Sequence, residues 1–321
     1  MRQLSLSSAQ VGGEEPLIGL PIYTFLREEA ETWMRREAVV FVHQGVRLTY
    51  AELFEQVDEV AAGLYALGVQ RGDRVGIWAT DNLEWLLLQI ATARIGAVLV
   101  NINPAYRTRE LEHALQAARI QTLVLMPAFR SSKYAEMVRE VVPEIDECAP
   151  DALTSERLPE LRNVIVYDPT GAMATRRPAA GFRLWKELLA LGSSVTTEQL
   201  DERSKTLDPD DPINIQFTSG TTGFPKPVLL THHNVLNNAL VVGRQLGFTQ
   251  WDRLCVPVPF YHCFGMVLSN LCCLCRGATI VVPEEHFDAL AVVKAIDAER
   301  CTALHGVPTM FVAVLEVPEL E

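Results

Sequence analysis

The segment FTSGTTGFPKPV at 217–228 concentrates groups that hold phosphate. Thr218, Ser219, Thr221 and Thr222 put four hydroxyls within five positions. Gly220 and Gly223 let the backbone turn and approach a ligand closely, and Lys226 adds a cation. Backbone N–H groups, hydroxyls and one ammonium can together wrap a polyphosphate. A Ser/Thr/Gly-rich surface turn has the same composition. Position favours the phosphate reading, because the segment follows a buried-strand pattern, INIQF at 213–217, and precedes another apolar run. It is not the common nucleoside-triphosphate loop, which needs G-x-x-x-x-G-K followed by Ser or Thr at a helix start. Here Phe224 and Pro225 separate Gly223 from Lys226, and Pro227 follows. No G-x-G-x-x-G follows a strand pattern, as a dinucleotide site would require.

Two further clusters carry chemistry-capable side chains. Cys272, Cys273 and Cys275 lack the second pair that a four-ligand zinc site uses, and they sit in an apolar helical stretch. They read as small apolar packing residues, so no protein-held metal is expected. His232 and His233 read as helix-start residues.

The elements that must position these groups alternate between strand and helix patterns. VVFV at 39–42 and the stretch around Arg47 flank Gly45, which predicts a hairpin. Thr49 then caps a helix with Glu52 as its capping-box partner, and Gly68 ends it. RVGIWA at 74–79 is a buried strand, Asp81 is read as the cap of a helix running to about Arg94, and Gly96 stops that helix. AVLVNI at 97–102, TLVLM at 122–126 and NVIVYD at 163–168 are strand patterns, with helices from Arg109 and near 133–142 between them. After surface connections at 168–183 and 203–212, strands are expected at 213–217, 253–258, 278–282 and 302–305, and helices near 233–246, 265–275 and 288–300. Continuous apolar strands separated by helices predict an α/β fold whose mostly parallel sheets are covered on both faces.

Bulk properties agree. A chain of 321 residues has room for roughly two average domains. Its 49% hydrophobic and 21% charged residues exclude a disordered chain, a collagen-like repeat and a coiled coil. Twenty-eight basic against 40 acidic residues give a net charge of −12, which argues against broad nucleic-acid binding. Arg94 and Arg276 interrupt the longest apolar stretches below the ~20 residues of a bilayer span. Seven cysteines without regular spacing fit a reducing compartment, and the N-terminus has no apolar secretory core. The expected location is the cytoplasm, with the mitochondrial matrix as the alternative.

TSGTTGFPK resembles the phosphate loop of the adenylate-forming (AMP-binding) enzymes, which include acyl-CoA synthetases, luciferases and peptide-synthetase adenylation domains. DPINIQFTSGTTG, HHNVLNN, PVPFYHCFGMVL, LHGVPTMF and GIWATDNLEWLLLQIATARIGAVLVNINPAYR are similar to the fatty-acyl-CoA synthetase branch, in particular the medium-chain proteins grouped as family member 2. The resemblance spans about 20–316. It implies two sandwiched, mostly parallel sheets flanked by helices: one lobe at roughly 70–220, the other combining 20–69 with 221–321, after a tail at 1–19. It implies ATP-dependent ligation of a fatty acid to CoA through an acyl-adenylate, with magnesium (Mg2+) screening the phosphates. Thr218, Ser219, Gly220, Thr221, Thr222, Gly223 and Lys226 would then meet ATP. By the same resemblance His262 would stand beside the acyl group and adenylate as the catalytic-site histidine. Pro257 and Pro259 mark an irregular strand end before it, where ligands bind in parallel sheets. A core histidine is the competing reading. Tyr261, Phe264 and Gly265 would line the same pocket, and Gly306, Val307, Pro308 and Thr309 match a second turn near the acyl site, although a plain strand-to-helix turn looks alike.

Two departures stand out. The family has glycine where this chain has Pro227, which removes an N–H and pushes Lys226 away from the α region. The sequence also ends at Glu321, just after the VPT turn, whereas the resemblance implies an adenine loop, a Thr-Glu pair for magnesium, a ribose aspartate and a small C-terminal domain beyond it. The expectation is therefore a truncated N-terminal domain without activity of its own. The rival readings are an adenylating enzyme for an aryl or other carboxylic acid, and a non-catalytic fragment.

Overall fold

The apolar runs at 74–79, 97–102 and 122–126 become the middle of a seven-stranded sheet. The computed structural model describes residues 16–169, 177–218 and 223–318. Its strands are β1 (Glu37–Phe41), β2 (Val46–Thr49), β3 (Arg74–Trp78), β4 (Val98–Ile102), β5 (Thr122–Leu125) and β6 (Asn163–Val166). They continue with β7 (Phe182–Leu184), β8 (Pro212–Thr218), β9 (Lys226–Thr231), β10 (Arg253–Cys255), β11 (Thr279–Val282) and β12 (Ala303–Leu304). The larger sheet has the order β7-β6-β5-β3-β4-β8-β9 and the smaller β12-β10-β11-β1-β2. Pairing is parallel throughout except in the hairpins β8–β9 and β1–β2. Every residue of β4 and β5 is buried, which is why these strands read as unbroken apolar runs. The fold is thus the expected α/β architecture of two mostly parallel sheets flanked by helices. The β8–β9 hairpin carries the larger sheet to Thr231, past the boundary expected near residue 220.

Local signals hold at several helix ends. Thr49 and Glu52 form the expected capping box at the helix Tyr50–Ala66. Gly96 ends the helix Leu83–Ile95 with φ of 75°, a left-handed turn that disfavours any other residue. Every residue of that helix except Glu84 is buried, so it is apolar all round rather than amphipathic. Trp85 meets Phe260 at 5.5 Å between ring centroids, and Gln89 Nε2 donates to Met266 O at 3.1 Å, so the helix binds the 257–271 segment. Arg94, buried near its C-terminus, pairs with Asp201 at 2.6 Å and lies over the Tyr23 ring at 4.3 Å. Among the described residues no helix is long and apolar enough to cross a membrane.

One cap is corrected. Asn82, not Asp81, caps Leu83–Ile95, accepting the Trp85 N–H at 3.0 Å. Asp81 is drawn instead to a tertiary partner, accepting the Phe260 N–H at 2.8 Å. The expected helix near 265–275 also differs: Phe264–Leu271 is wound more widely than an α-helix, and α geometry resumes only at Cys272–Arg276. Helices at Ile22–Ala30, Trp185–Gly192, Thr197–Lys205 and Pro308–Leu315 were not foreseen from periodicity.

Candidate active site

The β8–β9 hairpin brings the two ends of the Ser/Thr/Gly loop together. Thr218 stands opposite Lys226 in the ladder, and Phe217 opposite Pro227. Thr218 and Lys226 are both exposed. Ser219, Gly220, Thr221 and Thr222 lie outside the described residues. Gly223 has φ of 100°, a conformation that side chains strain to adopt. The returning limb is anchored on the helix Thr108–Ala117. Phe224 stacks on His113 at 4.5 Å, Arg109 lies over the same ring at 5.1 Å, and His113 Nε2 is 3.1 Å from Pro225 O. Pro227 sits on the outermost strand of its sheet, where proline is tolerated. The extended backbone that proline demands of Lys226 is the one β9 already has.

β8 runs parallel to β4, and β4 to β3, so this loop leaves the sheet at the carboxyl edge of the parallel strands. A cavity of about 440 Å³ opens at that edge, lined by residues that follow strands of both sheets. Thr80 and Asp81 follow β3, Asn103, Pro104, Ala105 and Arg107 follow β4, Phe129–Ser132 follow β5, Pro257, Pro259 and Tyr261 follow β10, and Glu285–Phe287 follow β11. Carboxyl ends of parallel strands are where such folds bind ligands, because side chains from several strands converge there. Tyr106, next to the cavity segment, packs against Phe217 at 6.4 Å and ties the cavity wall to the loop's strand.

The polar groups of the cavity hold one another in place. Thr80 Oγ1 donates to Glu285 Oε2 at 2.8 Å, and the Asp81 N–H donates to Glu285 O at 3.0 Å. Arg107 Nη1 donates to Ser132 Oγ at 2.9 Å. Burial pushes the Asp81 carboxyl well above its ordinary range; the Phe260 N–H opposes that rise and the Glu285 charge adds to it. By accepting the Phe260 N–H, Asp81 pins the 257–261 segment to the end of β3. Burial, with Asp81 nearby, also raises the Tyr261 phenol.

Of the pocket residues expected from sequence, Tyr261 lines the cavity, while His262, Phe264, Gly265, Gly306, Pro308 and Thr309 are not among its lining residues. His262 is exposed, its Nδ1 accepting the Phe264 N–H at 3.1 Å, so it is not a core histidine. Gly265 is buried where an added Cβ would press on the Pro259 carbonyl and lie 2.9 Å from Phe260 Cα. Val307, Pro308 and Thr309 are exposed, and the next residue, Met310, reaches the cavity. Sequence reasoning missed Asp81, Arg107, Glu285 and His286 as cavity residues; their only signal was their place just after apolar strands. It also missed His305, whose Nδ1 lies 2.8 Å from Ser269 Oγ. Ser269 gives its own proton to Phe264 O at 2.9 Å, so His305 Nδ1–H is the donor in that contact.

The other singled-out residues have structural places. Cys272, Cys273 and Cys275 are buried in the core, and burial raises all three thiols. His232 opens the helix His232–Gln245, fully buried, with Nδ1 accepting the Ile22 N–H at 3.1 Å.

Comparison with known proteins fits this architecture. The family model described as AMP-binding enzyme matches residues 26–321. The chain is 41% identical over 321 residues to the mitochondrial medium-chain acyl-CoA ligase ACSF2 of Danio rerio, covering 98% of this chain and 52% of that protein. It is 41% identical over 305 residues to YngI of Bacillus subtilis (strain 168), covering 95% of this chain and 54% of that protein. Among solved structures, the inhibitor-bound N-terminal domain of FACL13 from Mycobacterium tuberculosis matches with a TM-score of 0.74 and 25% identity, over 94% of this chain and 66% of that one. The chain spans about half the length of the curated relatives it matches. With the family model matching from residue 26 onward, the chain belongs to the AMP-binding enzyme family.

Proposed function

We propose that this chain is the ATP- and acyl-binding part of a fatty acid–CoA ligase, an acid–thiol ligase acting on medium-chain acids. A carboxylate oxygen attacks the α-phosphorus of ATP, the bond to pyrophosphate breaks, and acyl-adenylate forms. The CoA sulfur then attacks the acyl carbonyl carbon, and the bond to AMP breaks. No covalent enzyme intermediate is needed, so the protein's work is to position reactants and to stabilise charge at phosphorus. Thr218, Ser219, Gly220, Thr221, Thr222, Gly223 and Lys226 supply the hydroxyls, amides and ammonium for the phosphates, which magnesium accompanies. Tyr261 and His262 orient the acyl end, with Phe264, Gly265, Gly306, Pro308 and Thr309 shaping the surrounding wall. The observation that carries the reading is the hairpin that sets Thr218 opposite Lys226 at the same carboxyl edge as the cavity.

The medium-chain assignment rests on the name of the Danio rerio relative, and the same name, with seven free cysteines, favours a reducing location such as the mitochondrial matrix or cytoplasm. Acid-dependent pyrophosphate release, measured on the sequence extended to the length of its relatives, tests the reading. Octanoate is expected to drive release with ATP and magnesium, and CoA to convert the product to octanoyl-CoA. Release driven by aryl acids alone would replace the fatty acid with an aryl substrate, and no release with any acid would favour a non-catalytic role.

A further inference from the structure

The geometry points to Asn101 as a positioning residue that holds the Tyr261–Met266 segment in register with the strand of the phosphate loop. Its consequence for catalysis rests on the ligase reading; the tether itself rests on the fold alone.

Asn101 is a polar residue in β4, a strand whose every position is buried. The neighbouring β8 carries two more, Asn214 and Gln216, and all three side chains are buried. Asn101 and Gln216 are register partners, and Asn214 lies two positions before Gln216, so the three carboxamides share one face of the sheet. That face meets the wide-wound helix Phe264–Leu271 and the residues before it. Asn101 Nδ2 donates to Tyr261 O at 3.1 Å and lies 3.4 Å from Met266 Sδ. Gln216 Nε2 lies 3.9 Å from the same sulfur. The helix Leu83–Ile95 adds Gln89, whose Nε2 holds Met266 O and whose Oε1 accepts Asn270 Nδ2 at 3.4 Å. Carboxamides from three elements thus converge on one methionine.

The bond directions permit one arrangement. A carbonyl oxygen only accepts, so Asn101 must turn Nδ2 toward Tyr261. Its Oδ1 then accepts Asn214 Nδ2 at 2.9 Å, and that Nδ2 also donates to Leu99 O at 2.9 Å. The relay runs from β8 through β4 to the Tyr261 carbonyl. Apolar contacts would let the segment slide. Buried amides resist sliding, because each displaced donor or acceptor is left without a partner. Tyr261 lines the cavity, and Gln216 stands two residues before Thr218, which faces Lys226 across the hairpin. Asn101 therefore ties the segment assigned to the acyl end to the strand that leads into the phosphate loop. Joining a carboxylate to ATP depends on that spacing, since a misplacement of about 1 Å can cost about 10² in rate.

The test has one arm without ligase activity and one with it. In the 321-residue chain, the His262 N–H donates to Pro259 O at 3.2 Å and the Met266 N–H to His262 O at 3.0 Å, so their hydrogen exchange reports whether the segment opens. Asn101→Ala is expected to speed exchange in peptides covering 259–271 by about tenfold, the worth of one buried hydrogen bond. Peptides of the helix Trp185–Gly192, which follows β7, should exchange as in the parent. Asn214→Ala removes the group that orients Asn101 and should act on the same segment by a smaller factor, which decides the matter if Asn101→Ala does not fold. Unchanged exchange at 259–271, or an equal rise throughout the chain, would overturn the proposal. In the sequence extended to the length of its relatives, Asn101→Ala should lower kcat/KM for octanoate by at least about tenfold while KM for ATP stays within about twofold. Equal losses toward both substrates would make Asn101 merely structural. An inactive parent would count against the ligase reading and leave the tether to be decided by exchange.

Discussion

At the scale of single residues, exposure and close approach decide what a side chain can do. His262 is exposed beside a cavity-lining tyrosine, so His262→Ala is expected to raise KM for the fatty acid by about tenfold, the worth of one good polar contact. KM for CoA and the Tm should barely change; equal loss in all three would make His262 a structural residue. Gly265→Ala should behave oppositely. Its methyl would press on the Pro259 carbonyl, and a shift there costs about 1–3 kcal/mol of stability, read as a lower urea midpoint. An unchanged midpoint would contradict the close approach. The phosphate-loop reading needs position as well as residue types, because hydroxyls, glycines and a lysine also make a surface turn, and only the strand patterns on either side argue against one. Asp81 was not. Aspartate and asparagine both cap helices, and only the Phe260 amide, 179 positions away in sequence, decides which of the neighbours Asp81 and Asn82 takes that role.

At the scale of elements, periodicity and caps carried the helices Tyr50–Ala66 and Leu83–Ile95, whose ends are written in Thr49, Glu52 and Gly96. The wide winding at Phe264–Leu271 had no such signal, since it depends on Ser269 bonding back to Phe264 and on Gly265 slipping under Pro259. Pro227 looked damaging as a loop residue and proves compatible with an edge strand. The helix pair Ile22–Ala30 and His232–Gln245 is joined through His232, whose pKa burial lowers from 6.5 to about 4. A histidine with a depressed pKa stabilises the fold above its unfolded value of about 6.5 and loses that contribution as pH falls to about 4. A shift of about 2.5 units is on the order of 3 kcal/mol. Thermal unfolding followed from pH 7 to pH 4 should therefore show falling stability, with a shallower fall in His232→Asn, which keeps an acceptor for the Ile22 amide. Identical slopes would mean that His232 is not the titrating group.

At the scale of the whole molecule, alternating apolar strands and helices announced mostly parallel sheets covered by helices, the family resemblance implied two of them, and the strand order places the cavity. The cavity itself was hidden from sequence, because its walls come from segments near 80, 105, 130, 259 and 286 that only the strand order brings together. Once formed, that edge carries both the convergence of five strand ends and, on the outermost strand, the loop's Lys226. The central claim is that this loop stabilises the charge that develops when a carboxylate attacks ATP. The direct measurement is octanoate-dependent pyrophosphate release by the sequence extended to the length of its relatives, with and without Lys226→Ala. The account predicts a loss of about 10²–10³ in rate with an unchanged Tm, since one donor to developing charge contributes that much. A Lys226→Ala enzyme that releases pyrophosphate as fast as its parent would contradict it.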